Sequence, residues 1–159
     1  MCAALAAPTP GGLASPRAVS SGETRAAPAS QIHLPSAAPQ VERAWRSLRR
    51  SPEEWAAYVR GLEAAQLAAL FKHNLPAELL SAFLAATDAY ADGGAAHAAH
   101  ALGTLRALSG AGRFAILTMC MDKADGKAAA SVFAKLQAAH GRGELPGVDD
   151  LAALKAKYT

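Results

Sequence analysis

From Val41 onward, apolar positions recur three and four residues apart, the spacing that gives a helix one buried stripe. Val41, Trp45 and Leu48 set the first such stripe and predict a helix over 41–49, with Arg43, Arg46 and Arg50 on its other face. Ser51-Pro52-Glu53-Glu54 predicts a new start: Ser51 as cap, Pro52 in the first turn and Glu54 closing a capping box. The second helix buries Trp55, Tyr58, Val59 and Leu62, and a third over 64–73 buries Leu67, Leu70 and Phe71. Asn74 is placed to end the third in a left-handed conformation. Pro76 opens a fourth, with Leu79, Leu80, Phe83, Leu84 and Tyr90 inward, and Gly93-Gly94 stops it. A fifth over 96–109 turns Leu102, Leu105 and Leu108 inward. Asp122 caps a seventh over 123–140, which buries Val132, Phe133 and Leu136 and is weakened near its start by Gly126. After a loop over 141–147 containing Pro146, Asp149 or Asp150 starts a last helix with Leu151, Leu154 and Tyr158 on one side.

Residues 112–121, GRFAILTMCM, form the sixth helix and break the pattern, because almost no polar face remains. The run is too short to cross a membrane, which takes ~20 apolar residues. Phe114, Leu117 and Met121 make a core face. Arg113, Ile116 and Cys120 repeat that spacing one residue earlier and make a second, smaller stripe. Two readings stand side by side: a central helix buried all round, or a helix that keeps one side for a partner. No period-2 run rich in β-branched residues argues for a strand. The fold class is therefore all-α, a compact stack of seven to eight short antiparallel helices, successive ones packed as neighbours.

Composition divides the chain. Six of nine prolines lie in residues 1–39, with Arg17, Glu23 and Arg25 as the only charges there. That stretch reads as a disordered Ala/Pro/Ser/Gly-rich leader, and residues 40–159, which hold every aromatic side chain, as the helical domain. The leader shares Ala and Ser enrichment with organellar transit segments, but two arginines and many prolines weaken the amphipathic helix such segments need. A flexible tail on a cytoplasmic protein is the expectation, with nuclear or ciliary residence compatible. Net charge of +3 is too small to imply nucleic acid. Cys2 and Cys120 lie in different parts of the chain, which fits a reducing compartment and no disulfide framework.

Few side chains suggest chemistry. His97 and His100 stand at a spacing that suits zinc, but two ligands do not make a site, and partly buried histidines are the expectation. Met119, Cys120 and Met121 point ~100° apart on a helix, so they do not converge on copper. Cys120 lacks a base at motif spacing, and phosphate loops and hydrolase or metalloprotease motifs are absent. Arg43, Arg46, Arg49 and Arg50 form the one basic cluster, read as a solvated face turned away from Trp45. No enzyme, cofactor, metal, nucleic acid or membrane partner is expected.

Several pieces, in order, resemble the C-terminal domain family of RNA polymerase II-associated protein 3, the Monad domain. They are W-x-x-L from Trp45, S-P-E-E-W-A-A-Y-V with Leu62, L-F-K-H-N-L-P-A-E-L-L, G-R-F-A-I-L-T-M-C-M, K-A-A-A-S-V-F and the closing L-K-A-K-Y. The resemblance covers Trp45 to Tyr158 and excludes the leader. It implies a non-enzymatic adaptor that docks on RuvB-like AAA+ ATPases in a co-chaperone pathway of complex assembly. A second implication is a factor for assembly or attachment of axonemal dynein arms in cilia, as in relatives of sperm-associated antigen 1. Carried over by position, the partner-facing residues are Arg113, Ile116 and Cys120, with Lys123 extending the same face. Two departures matter. Residues 1–44 hold no tetratricopeptide repeat of the kind that recruits the ninety-kilodalton chaperone in the family, so chaperone recruitment is not carried over. The family also tends to place a larger, often aromatic side chain where this chain has Cys120, a loss worth ~1–3 kcal/mol of binding.

Overall fold

The computed structural model describes residues 35–145 and 148–159. The predicted leader falls outside them up to residue 34, as do Pro146 and Gly147. Among the described residues there are eight helices and no strand: α1 (Ala38–Leu48), α2 (Pro52–Arg60), α3 (Ala64–Phe71), α4 (Ala77–Tyr90), α5 (Ala95–Ser109), α6 (Phe114–Met119), α7 (Lys123–Gly141) and α8 (Leu151–Ala156). The all-α fold class is as the apolar spacing predicts. α1 begins two residues inside the stretch read as leader, because Pro39 sits in its first turn, where its missing N–H costs nothing.

α4 is the centre. It packs against α1, α2, α5 and α7, and its closest partner is α7. Phe83, fully buried, sits 5.5 Å from Trp55 of α2 and 5.9 Å from Phe71 of α3. Trp55 also donates its indole N–H to the Ala82 carbonyl at 3.0 Å. On the other side, Lys135 of α7 meets Asp88 at 3.0 Å, and Ser81 donates to Asp125 at 2.8 Å. Asp125 also completes a capping box with Asp122, so the start of α7 is fixed twice.

Three sequence expectations change. Packing is most extensive between helices two apart or further, α2 with α4, α3 with α5 and α4 with α7, more than between immediate neighbours. A helix of eight residues is only ~12 Å long, little more than the distance between packed axes, so a sharp corner delivers the chain to the element before last. Ser51 makes no side-chain cap bond, since its backbone at φ −125° and ψ 80° lies outside the extended region that aims a cap hydroxyl. Asn74 is not left-handed, because Arg113 is the only non-glycine residue with positive φ among the described residues. α3 needs no such cap: the Gly112 amide donates to the Phe71 carbonyl at 3.2 Å and satisfies its end from elsewhere in the chain.

Candidate functional site

Gly112 is the pivot of the surface around α6. A Cβ there would stand 2.2 Å from the carbonyl oxygen of His73, so only glycine lets the α5–α6 corner lie on the end of α3. The next residue, Arg113, must then turn the chain into α6, and it does so left-handed, at φ 65° and ψ 15°. For an L-residue this region costs of order 1–2 kcal/mol. Asn, Asp or Gly would occupy it more easily, yet the position carries a long cation whose side chain is exposed.

Phe114 then enters the core edge-on to Tyr158, with ring centroids 4.8 Å apart. Tyr158 also meets Phe133 at 5.5 Å and donates its hydroxyl to the Leu105 carbonyl at 2.7 Å. The R-F and K-Y segments, distant in sequence, thus clamp one another. Burial holds the Tyr158 phenol well above its ordinary range.

With Phe114 buried and Leu117 half-buried, the opposite side of α6 faces water. Ile116 is 60% exposed and Met119 86%, the two large apolar side chains most open to solvent among the described residues. This removes the reading of α6 as a central, wholly buried helix. Arg113, Cys120 and Lys123 are exposed as well. They do not form one helical stripe with Ile116, however. Arg113 precedes the helix in a non-helical conformation, and α6 ends at Met119. Lys123 opens α7 beyond the Asp122 cap, so it does not extend the face of α6.

Two residues of this surface escaped the sequence reading. Met119 is absent from the stripe that spacing picks out, although a position five residues past Phe114 and two past Leu117 falls opposite both on a helical wheel. Lys157 carries no signal of its own. It lines a groove with Arg113, Phe114, Thr118 and Ser109, so two cations share one concavity beside the Ile116–Met119 face. None of the groove's lining residues is acidic.

The other candidates find structural roles. His100 spans the Tyr90 hydroxyl at 2.9 Å and the Leu62 carbonyl at 2.8 Å, which occupies both ring nitrogens. His97 is held by the Gly93 carbonyl at 2.8 Å. Among the described residues, no three His, Cys, Asp or Glu side chains gather as a metal site would require. No helix of the described residues is long and apolar enough to cross a membrane.

A family model described as the potential Monad-binding region of RPAP3 matches residues 34–126, from the start of α1 into α7. Among solved structures, the NMR structure of the C-terminal domain of the human RPAP3 protein is similar, with a TM-score of 0.68. The two are 22% identical, and the match covers 79% of this chain and 88% of that one. At that identity the likeness speaks for the fold. No curated protein sequence matches the chain.

Proposed function

The chain belongs to the family of the RPAP3 Monad-binding region, and from that premise we propose that it is a non-enzymatic adaptor which docks through α6 on a RuvB-like AAA+ ATPase. The observation that carries this reading is the pairing of a strained, exposed Arg113 with an exposed apolar face. Backbone strain persists where the fold over-determines it, and it gathers at binding sites. Ile116 and Met119 supply the apolar contact, each worth ~1.5–3 kcal/mol if fully buried by a partner. Arg113 and Lys157 meet acidic groups at its edge. Cys120 and Lys123 stand at the far end, where Cys120 makes a shallow contact. Arginine beside apolar side chains is a composition enriched where interface energy concentrates.

The test is a titration of the full chain against a purified RuvB-like ATPase heteromer. Saturable binding is expected, and Arg113→Glu and Met119→Glu should each weaken it at least tenfold while the far-ultraviolet circular dichroism stays unchanged. Binding that survives both substitutions would move the interface off α6. Failure of the unaltered chain to bind would end the ATPase assignment.

A further inference from the structure

A second concavity lies away from α6, between the α1–α2 corner and α4. It is lined by Trp45, Arg49, Pro52 and Trp55 on one side and by alanines of α4, including Ala85 and Ala89, on the other. Its volume is about 140 Å³. An apolar cavity of roughly 150 Å³ holds a benzene-sized group, so this one has room for a single leucine-sized side chain. Ala85 and Ala89 are exposed, so the α4 wall is open to an incoming backbone.

Two features argue for what enters. Of the two indole N–H groups, only that of Trp55 has a protein acceptor among the described residues, so the half-buried Trp45 keeps a donor for a carbonyl or carboxylate. Charge is the other. Arg43, Arg46, Arg49 and Arg50 crowd α1 and its end, and among the described residues only Arg46 has an acidic partner, Glu42 at 3.8 Å. Arg49, which the sequence reading set apart from Trp45, lines the same groove as that ring. Glu53 and Glu54 follow in α2 but do not line it.

We propose that this groove is a second docking site, which takes one leucine-sized side chain of an acidic segment from a partner protein. Trp45 and Trp55 form the apolar walls, and Arg49 selects for carboxylates beside the anchor. Tryptophan and arginine around a desolvated pocket are the residue types that dominate binding energy at interfaces. This inference is independent of the α6 surface and of the ATPase assignment.

The chain's two tryptophans both line the groove, so intrinsic fluorescence reports on it directly. The probe is a synthetic peptide of three Glu-Glu-Leu repeats, titrated into the full chain. A saturable change in tryptophan emission is expected, with protection from acrylamide quenching. Arg49→Glu should weaken it at least tenfold, and Ala85→Leu, which fills the groove from an exposed position, should abolish it. Arg113→Glu should leave it unchanged. A Lys-Lys-Leu peptide that binds equally well would overturn the choice of an acidic partner. No saturable change, or binding indifferent to Ala85→Leu, would overturn the site. Trp55 is 2% exposed and shielded by the fold itself, so the half-buried Trp45 carries the quenching signal. Trp45 emission already shielded from acrylamide in a Trp55→Phe chain alone would mean that another segment or a second copy covers the groove, and would also overturn it.

Discussion

α4 and α6 read alike as sequence and differ as structure. Both are dominated by apolar side chains, and neither has a continuous polar face. In α4, eight residues are buried and four other helices close around it. In α6, Phe114 alone is buried while Ile116 and Met119 face water. Length and chain position decide the difference. A 14-residue helix at the middle of the chain offers faces to elements before and after it, whereas a six-residue helix at a corner can be covered on one side only. Apolar composition therefore marks what must be covered, and only topology says whether the chain itself covers it.

The sharpest way to break this comparison is to remove one large apolar group from each helix. Phe83→Ala in α4 should cost about 3–5 kcal/mol, because Phe83 is fully buried among aromatic rings from α2 and α3. Met119→Ala in α6 should change stability by less than about 0.5 kcal/mol and spend its effect on partner binding instead. Urea denaturation of both variants checks this. Equal losses would mean that α6 is as structural as α4.

Gly112→Ala probes the corner that sets α6 in place. The added methyl meets the carbonyl carbon of His73 at 2.5 Å as well as its oxygen, and a backbone carbonyl has little room to retreat. A cost of about 1–3 kcal/mol is expected, typical of overpacking, with loss of the Gly112–Phe71 hydrogen bond. Gly126, by contrast, has nothing near its Cβ position and lies in the first turns of α7. Gly126→Ala should stabilise by about 0.5–1 kcal/mol. Thermal melts of the two variants should move in opposite directions.

This pair also shows what was legible in the sequence. The weakness of Gly126 is a local property of a helix and could be read from its neighbours alone. The necessity of Gly112 depends on His73, thirty-nine residues earlier, so no local pattern reveals it. The same division runs through the rest. Helix existence, the Pro76 and Asp122 starts, and the inward faces of α4, α5 and α7 follow from short-range spacing and were legible. The Asn74 end and the Ser51 cap failed because distant contacts or backbone angles replaced the local device. At the α6 surface, spacing alone suggested one stripe of Arg113, Ile116 and Cys120, which the left-handed Arg113 and the helix end at Met119 break, and Lys157 comes beside Arg113 only through the fold.

The clamp between the R-F and K-Y segments gives a pH-dependent difference. Tyr158 is held neutral by burial, so its ordinary pKa of 10.0 is raised in the folded state. The unfolded chain ionises near pH 10 and then binds fewer protons than the folded one. Stability is therefore whole below pH 10 and falls above it, by roughly tenfold in the folding equilibrium constant per pH unit for this one group. Tyr58 and Tyr90 are raised in the same direction by burial. Tyr158→Phe should flatten the alkaline limb while costing about 1 kcal/mol at neutral pH for the lost bond to Leu105. Denaturation midpoints at pH 7 and 10.5 test both effects, and an unchanged alkaline slope would count against the clamp.

Arg113 is where the requirements of fold and surface pull apart. At φ 65° the backbone favours glycine, so Arg113→Gly should relieve strain and raise stability by up to about 1 kcal/mol, less whatever the more flexible glycine adds to the unfolded state. The same change removes the cation that faces the groove with Lys157. A variant that melts higher and binds its partner more weakly would identify strain retained for the sake of the side chain. Asn at this position tolerates the left-handed region and carries no charge, so Arg113→Asn should behave as the glycine does in binding. Were both variants less stable than the parent, the guanidinium would be serving the fold, and the α6 surface would have to be redrawn around Ile116 and Met119 alone.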